Sequence, residues 1–212
     1  MSEIVGADVV AVETPPERPD EVLSEEIACL GRVVPKRYQE FATGRTCARQ
    51  ALGMLGFPKS PILIGPSRQP LWPPGAVGSI THCAGYCAAA VARREDYRTI
   101  GIDAEPNEPL PRDVLKLVAT EEEKAWLHEC SGENVNWDRT IFSAKESVYK
   151  AWSHLTGRWL DFQNVRIEFD LKTQSFRPLA KFNDTQTSLL ADFDGRYLIL
   201  DRLILTAVCV SR

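Results

Sequence analysis

The clearest pattern of hydrophobic and polar positions predicts an amphipathic helix from Trp137 to Trp152. Apolar residues recur there at steps of three and four, which places them on one stripe of a helix. The members of this stripe are Ile141, Ala144, Val148, Ala151, Trp152 and Leu155. Asp138 is predicted to be the N-cap, because its carboxylate can accept backbone N–H groups of the first turn.

Glu146 and Lys150 lie on the side of this helix opposite the apolar stripe. They are four residues apart, and the simplest interpretation is a solvent-exposed ion pair that contributes about 0.3 kcal/mol. Phe142 and Tyr149 lie beside the pair. Aromatic side chains at this position favour a second buried surface, such as a cleft or an interface between lobes.

The rest of the chain alternates between strands and helices. The strands predicted before this helix are 4–12, 77–83, 87–93 and 98–105, and the helices are about 21–30 and 35–55. The stretch 60–74 holds five of the fourteen prolines and is predicted to be an extended loop. Thr120 and Glu123 form a capping box with a structural role. The strands predicted after the helix are 161–169, 176–182, 189–193 and 197–210.

Composition narrows the class of protein. A length of 212 residues allows one large domain or two small lobes. The net charge of −4 gives no broad basic surface for nucleic acid. No apolar run reaches the roughly 20 residues that span a membrane, and the acidic N-terminal segment is unlike a signal peptide. Six cysteines without a C-x-x-C pair predict reduced thiols in a cytoplasmic protein.

Two acidic residues carry the main candidate chemistry. Asp103 and Glu105 share one face of the predicted strand 98–105, about 7 Å apart along it. A solvated strand edge is the simpler interpretation, but two carboxylates on one face repel and need a cation or a proton between them. Pro106 ends the strand, so the acids lie at its tip. With Glu146 they would form an oxygen-only site that suits Mg²⁺ or Mn²⁺ rather than zinc.

Several basic side chains could hold phosphate groups; these are Arg37, Arg45, Arg49, Arg68 and His82. The first three share a sector about 120° wide on the predicted helix 35–55, which is either a solvated basic face or an anion site. Arginine suits an anion site because its planar fork binds phosphate oxygens in pairs. A metal site beside phosphate ligands implies a polyphosphate substrate, although no Walker loop or G-x-G-x-x-G motif points to an ordinary nucleotide site.

Three motifs together resemble the 4'-phosphopantetheinyl transferases, in their larger, monomeric class. They are GSITHC (78–83), GIDAE (101–105) and FSAKESVYKAW (142–152), in the order that the family shows. The resemblance implies an α+β fold, a pseudo-twofold pair of α/β lobes with the active site in the cleft between them. The N-terminal lobe would be residues 1–104 and the C-terminal lobe residues 105–212.

The resemblance also implies a reaction and its partners. The 4'-phosphopantetheine arm of coenzyme A would move to a serine of an apo acyl or peptidyl carrier protein, and 3',5'-ADP would leave. Coenzyme A would be the substrate and Mg²⁺ the cofactor, with Mn²⁺ as a substitute. No nucleic acid or membrane partner is expected, and the protein would be a cytoplasmic monomer.

Roles for single residues follow from the same resemblance. The metal ligands would be Asp103, Glu105 and Glu146. Glu146 would also remove the serine proton, directly or through a metal-bound water, and Lys150 would stabilise phosphate charge or protonate the leaving group. The coenzyme A phosphates would be held by Arg37, Arg45, Arg68, Thr81, His82 and Lys150, with Arg49 as a weaker candidate. Arg68 belongs to RQPLWP (68–73), which resembles a phosphate-binding loop of enterobactin-type members.

Two alternatives belong to other functional classes. The first is a non-catalytic regulator that binds coenzyme A or a nucleotide on the same fold, but both signature lysines, Lys145 and Lys150, and all expected acids are present. The second is a Mg²⁺-dependent phosphohydrolase, which would release 3',5'-ADP without a carrier protein. The motifs leave the pathway open between siderophore, polyketide, nonribosomal peptide and fatty-acid carriers.

Overall fold

Two long helices, each packed on a sheet, organise the computed structural model, which describes residues 1–14, 22–130, 135–181 and 187–212. The first half contains β1 (Val10–Thr14), α1 (Ser24–Leu30), α2 (Pro35–Met54), β2 (Leu63–Ile64), β3 (Pro70–Leu71), β4 (Ala76–Cys83) and β5 (Tyr86–Arg93). The second half contains β6 (Tyr97–Pro106), α3 (Arg112–Val118), α4 (Glu121–Glu129), α5 (Trp137–Thr156), β7 (Val165–Asp170), β8 (Ser175–Ala180), β9 (Gly195–Ile199) and β10 (Leu203–Ser211).

The two halves repeat one plan. A three-stranded sheet has the order β1-β5-β4, and a five-stranded sheet has the order β6-β10-β9-β8-β7. In each half a strand and a 20-residue helix precede an antiparallel hairpin, and the second strand of that hairpin pairs with the first strand of the half. Helix α2 packs on β1 and β5, and α5 packs on β6 and β10. The predicted α+β fold is therefore confirmed, and its two lobes have similar topologies.

Strands β4 and β6 join the two sheets through side chains. They belong to different sheets but lie against each other. The hydroxyl of Ser79 accepts the N–H of Ile102 at 3.1 Å, and the hydroxyl of Thr81 accepts the N–H of Ala104 at 3.0 Å. The N–H groups at a buried strand edge need hydrogen-bond acceptors. These two hydroxyls of β4 provide them for the edge of β6 that faces β4. The Ser and Thr of the GSITHC motif thus connect the lobes.

The helix α5 lies very close to β6 because Gly101 has no side chain. A Cβ atom at Gly101 would lie 1.9 Å from the carbonyl oxygen of Ser147 and 2.6 Å from the nitrogen of Ala151. Most of the predicted apolar stripe of α5 is buried against side chains from β7, β8, β9 and β10. The helix therefore packs against β6 as well as against the strands of the second hairpin and its neighbours.

The predicted N-cap of α5 is wrong. The helix begins at Trp137 and its N-cap is Asn136, whose side chain makes no capping hydrogen bond. Asp138 instead accepts the N–H of Leu110 at 2.9 Å through Oδ2. A helix-capping carboxylate and one that binds a neighbouring loop look the same in sequence, because both lie at the first turn.

Other differences concern short elements. The predicted strand 189–193 is part of a 3₁₀ turn, Thr187–Asp192, and the predicted strand 197–210 is the hairpin of β9 and β10. Short apolar runs do not distinguish strands from other buried segments, which explains both errors. The first strand begins at Val10, although Met1, Ile4 and Val9 are buried in turns before it. The predicted helix start at residue 21 and strand end at residue 182 lie outside the described residues.

The change from one sheet to the other occurs in the turn 94–96, between β5 and β6. The predicted lobe boundary between residues 104 and 105 falls inside β6. We therefore propose that the lobes divide at 94–96, since among the described strands β6 pairs only with the second-half strand β10.

All six cysteines are free thiols, as predicted. None of the helices in the described ranges combines the length and the apolar character that crossing a membrane would require.

Candidate active site

Helix α5 directs a polar stripe toward the tip of β6. Arg139, Ser143, Glu146 and Lys150 follow one another at steps of four, three and four, so they lie within about 60° of each other on the helix. The apolar stripe lies on the opposite side of the helix. Three of these four side chains, Arg139, Ser143 and Lys150, make hydrogen bonds to residues of β6.

Asp103 is the centre of this group and is only 5% exposed. Its Oδ1 accepts from the ammonium of Lys150 at 2.7 Å and from the hydroxyl of Thr81 at 3.2 Å. Its Oδ2 accepts from the hydroxyl of Ser143 at 2.8 Å. Lys150 also donates to the carbonyl of Ile102 at 3.0 Å. The solvated-edge interpretation of Asp103 is therefore wrong, and Lys150 has a buried carboxylate as its partner.

Ser143 and its partner Thr206 were not among the residues predicted from sequence. The hydroxyl of Thr206 donates to the carbonyl of Ser143 at 2.9 Å and lies 3.0 Å from the Ser143 hydroxyl. Both residues are fully buried. Ser143 could have been found, because it precedes Glu146 by one helical turn on the same side. Thr206 on β10 has no comparable signal.

Arg139, which binds the second acidic residue of β6, was also not predicted from sequence. Arg139 donates from Nη1 to Oε2 of Glu105 at 2.9 Å. Burial, and then the charge of Asp103, raise the pKa of Glu105, and Arg139 opposes this rise. Glu105 is therefore held beside Asp103 by a cation from the first turn of α5. Arg139 could have been found from its spacing, because it precedes Ser143 by four residues and so lies on the same side of the helix.

Glu146 shares the electrostatic environment of the other two acids. Burial raises the pKa of Glu146 to about 7, and the charges of Asp103 and Glu105 add to the rise while Lys150 opposes it. Across the described residues, however, no three Asp, Glu, His or Cys side chains are arranged to hold one metal ion. Charges act over longer distances than coordination allows, and Asp103 faces Lys150 while Glu105 faces Arg139. The metal site stays a prediction.

His82 connects the site to α2. Nη1 of Arg37 donates to Nε2 of His82 at 2.8 Å, and Glu40 lies 3.8 Å from Nδ1. Burial is the largest influence on His82 and lowers its pKa, which favours the neutral ring that can accept from Arg37. Thr81 and His82 point to opposite sides of β4, one toward Asp103 and the other toward Arg37. Four predicted residues thus gather at the end of β4.

Arg45 lies beside the loop that follows α2. It is 6% exposed, and its Nε donates to the carbonyl of Ile62 at 2.7 Å. Its guanidinium carbon lies 4.5 Å from the ring centre of Phe41. Burial lowers the pKa of Arg45 to about 10. These contacts stabilise the loop, and the predicted contact of Arg45 with a phosphate group stays a prediction.

Arg49 connects α2 to α1. Its Nη1 donates to both carboxylate oxygens of Glu26, at 2.7 and 2.6 Å, and Glu26 is fully buried. Glu26 also accepts the N–H of Ile62 at 2.9 Å. The alternative of a solvated basic face is therefore wrong for Arg45 and Arg49.

Arg68 lies apart from the Asp103 contacts, in the loop between β2 and β3. It is exposed and has a positive φ of 64°. It lines a cavity of about 350 Å³ together with Tyr149, Ser153 and Trp159. The rings of Tyr149 and Trp159 meet edge to face with centroids 5.0 Å apart. Because Tyr149 immediately precedes Lys150 on α5, this cavity adjoins the polar stripe. The role of Arg68 stays a prediction.

The other signature lysine, Lys145, has a structural environment. It is 1% exposed and forms an ion pair of 2.7 Å with Glu123. It also donates to the carbonyls of Val118 and Phe162, both at 2.8 Å. Glu123 and Thr120 form the predicted capping box of α4. Lys145 therefore stabilises the packing of α5 against α3 and α4.

Comparisons with known proteins agree with this arrangement. A family model for the 4'-phosphopantetheinyl transferase N-terminal domain matches residues 25–92, and one for the 4'-phosphopantetheinyl transferase superfamily matches residues 99–201. The chain is 46% identical to 4'-phosphopantetheinyl transferase Svp of Streptomyces mobaraensis, over 92% of this chain and 82% of that protein. It is 44% identical to 4'-phosphopantetheinyl transferase Npt of Nocardia iowensis, over 86% of each.

A third relative is 4'-phosphopantetheinyl transferase PptT of Mycobacterium tuberculosis, which is 42% identical over 88% of this chain and 85% of that protein. Both family models and all three relatives thus point to one activity, and together they cover most of the chain. The chain belongs to the 4'-phosphopantetheinyl transferase superfamily, enzymes that transfer the phosphopantetheine arm of coenzyme A to carrier proteins.

Proposed function

We propose that this enzyme modifies a serine of an apo acyl or peptidyl carrier protein, requires Mg²⁺ or Mn²⁺, and releases 3',5'-ADP. One observation carries the proposal. The buried carboxylate of Asp103 lies where the two lobes meet, and it is shared by Thr81 from the first lobe and by Lys150 from the second. A substrate that binds across this junction would contact acidic and basic groups from both lobes.

The oxygen atoms offered by the acidic residues support the binding of a divalent metal ion. Asp103, Glu105 and Glu146 would hold the ion, and oxygen donors are what Mg²⁺ and Mn²⁺ prefer. Burial, and to a smaller extent the neighbouring acids, raises the pKa values of Glu105 and Glu146, and a divalent cation would stabilise their charged forms. When bound, the ion would neutralise the charge of the coenzyme A diphosphate.

The residues of the chain provide the proton transfer. Glu146 accepts the proton of the carrier serine as the serine oxygen attacks the β-phosphorus. The bond between that phosphorus and the oxygen bridging to 3',5'-ADP then breaks. The ammonium of Lys150, held by Asp103, stabilises the charge that develops on the departing phosphate.

The basic residues provide binding and orientation. Arg37 and His82 lie at the end of β4, where they would hold phosphate oxygens of coenzyme A. We propose the same role for Thr81, Arg45 and Arg68, of which Arg68 reaches the substrate from its own loop. The six free thiols support a reducing, cytoplasmic location for the enzyme, which we propose to act as a monomer.

The proposed function is tested by mass spectrometry of apo acyl and peptidyl carrier proteins after incubation with the enzyme, coenzyme A and Mg²⁺. We expect a phosphopantetheine adduct on the carrier serine, its loss in EDTA and its recovery with Mn²⁺. Asp103→Asn should abolish the adduct, whereas Asp113→Asn, at a side chain 95% exposed on α3, should not.

The same experiment separates the alternatives. Release of 3',5'-ADP without a carrier would identify a phosphohydrolase. Binding of coenzyme A with no transfer to any carrier would identify a regulator. Transfer that persists fully in EDTA would refute the proposed metal requirement.

A further inference from the structure

Arg139 binds one short segment of the chain through all three nitrogens of its guanidinium. Nη1 donates to Oε2 of Glu105 at 2.9 Å, Nε to the carbonyl of Glu108 at 3.1 Å, and Nη2 to the carbonyl of Pro109 at 3.1 Å. The side chains of Arg139 and Glu105 are 15% and 18% exposed. This is more than a surface ion pair, because a rigid planar fork with three partners has little freedom to move.

The first turn of α5 holds the same segment at two further points. Asp138 accepts the N–H of Leu110 at 2.9 Å, and the side-chain amide of Asn136 donates to Asn107 at 2.9 Å. The chain that follows the tip of β6 is thus fastened to α5 from residue 107 to residue 110. Within this attachment, Arg139 is the residue that reaches an acidic side chain of the site.

Side chains of one helix, α5, therefore hold both acidic residues of β6 in place. Ser143 holds Oδ2 of Asp103, and Arg139, one turn earlier, holds Oε2 of Glu105. The carboxylates of Glu105 and Asp103 lie on the same face of β6 and repel each other. Without a partner, the longer Glu105 side chain would rotate away from Asp103.

We propose that Arg139 is a positioning residue that keeps the Glu105 carboxylate beside Asp103 for metal binding. The inference rests on the proposed metal-dependent function. It concerns the geometry of the guanidinium and not its charge. A positive charge beside a cation site repels the cation, so a role through charge alone would weaken metal binding, and removing Arg139 would then strengthen it.

Binding of Mn²⁺ to the purified full-length protein without coenzyme A, followed by electron paramagnetic resonance, distinguishes these roles. Arg139→Met removes the charge and the fork, whereas Arg139→Lys keeps the charge but cannot make three contacts. We expect both variants to weaken Mn²⁺ binding by about tenfold, as loss of a group that orients a metal ligand typically does. The control is Arg177→Met, whose pair with Asp194 is 74% exposed on both sides, and it should bind Mn²⁺ as the wild type does.

A double-mutant cycle with Glu105→Gln tests whether the effect passes through that carboxylate. In the Glu105→Gln background, Arg139→Lys should cause no further loss of Mn²⁺ affinity. This comparison also serves if Arg139→Met does not fold, since the Lys variant retains a positive charge at position 139. Thermal unfolding of each variant reports any separate effect on stability.

Each outcome has a distinct meaning. Unchanged or tighter Mn²⁺ binding in Arg139→Met would overturn the inference, and so would wild-type binding in Arg139→Lys, because the three-contact fork would then be unnecessary for holding Glu105. If the wild-type protein binds no Mn²⁺ and transfers the arm without metal, the proposed function fails as well. If the wild-type enzyme is metal-dependent and the Arg139 variants bind Mn²⁺ as tightly as it does, only the inference about Arg139 fails, and the proposed function stands.

Discussion

Replacing Gly101 with alanine tests whether the site depends on the close contact between α5 and β6. The added Cβ would lie 1.9 Å from the carbonyl oxygen of Ser147 and 2.6 Å from the nitrogen of Ala151. Both are backbone atoms, so no side chain can rotate to relieve the clash. Real Cβ contacts are almost never shorter than 3.0 Å, so the helix must move away by roughly 1.1 Å.

The displacement should affect both stability and catalysis. Overpacking of this kind costs about 1–3 kcal/mol, which lowers Tm by roughly 2–12 °C in a protein of this size. Lys150 immediately precedes Ala151, and its ammonium lies 2.7 Å from Asp103. A shift of about 1 Å at this contact should lower kcat/KM by about 100-fold, measured as carrier modification below the KM for coenzyme A.

Gly53→Ala is the matched control, because a Cβ atom there would meet nothing within 4 Å. Gly53 lies in the last turn of α2, where alanine should stabilise the helix by up to about 1 kcal/mol and leave kcat/KM unchanged. If Gly101→Ala keeps the wild-type Tm and stays within about twofold of the wild-type kcat/KM, then α5 tolerates the added methyl group. The close-contact reasoning would then be wrong.

Two further predictions concern stability. Lys145→Met leaves Glu123 buried without its cation and should lower the free energy of unfolding by about 3–5 kcal/mol, whereas Lys124→Met, at a more exposed pair, should cost less than about 1 kcal/mol in the same denaturant titration. Ser79→Ala removes the acceptor of the buried Ile102 N–H and should cost about 1–3 kcal/mol. Faster hydrogen exchange of that amide is the expected signature, and unchanged exchange would contradict the proposed link between the sheets.

Helix α5 shows how much could be predicted from local sequence. Its start, its apolar stripe and the direction of its polar side follow from the periodicity of side chains around a helix, although it continues to Thr156, beyond the predicted end at Trp152. The strands that carry Thr81 and Asp103 were predicted with ends within two residues, because alternation and turn residues are also local signals. The motifs on these three elements were enough to identify the family.

The contacts between these elements were decided by the tertiary structure. Lys150 was paired in sequence with Glu146, four residues away, but its ammonium binds Asp103, 47 residues earlier in the chain. Arg49 was expected on a basic face but binds the buried Glu26.

The physical reason is that periodicity sets the direction of a side chain around its own helix or strand. It does not determine which strand lies opposite, or which acceptor a long side chain reaches. For the same reason, Arg139 and Ser143 became visible as partners of the acids only after β6 was placed against α5.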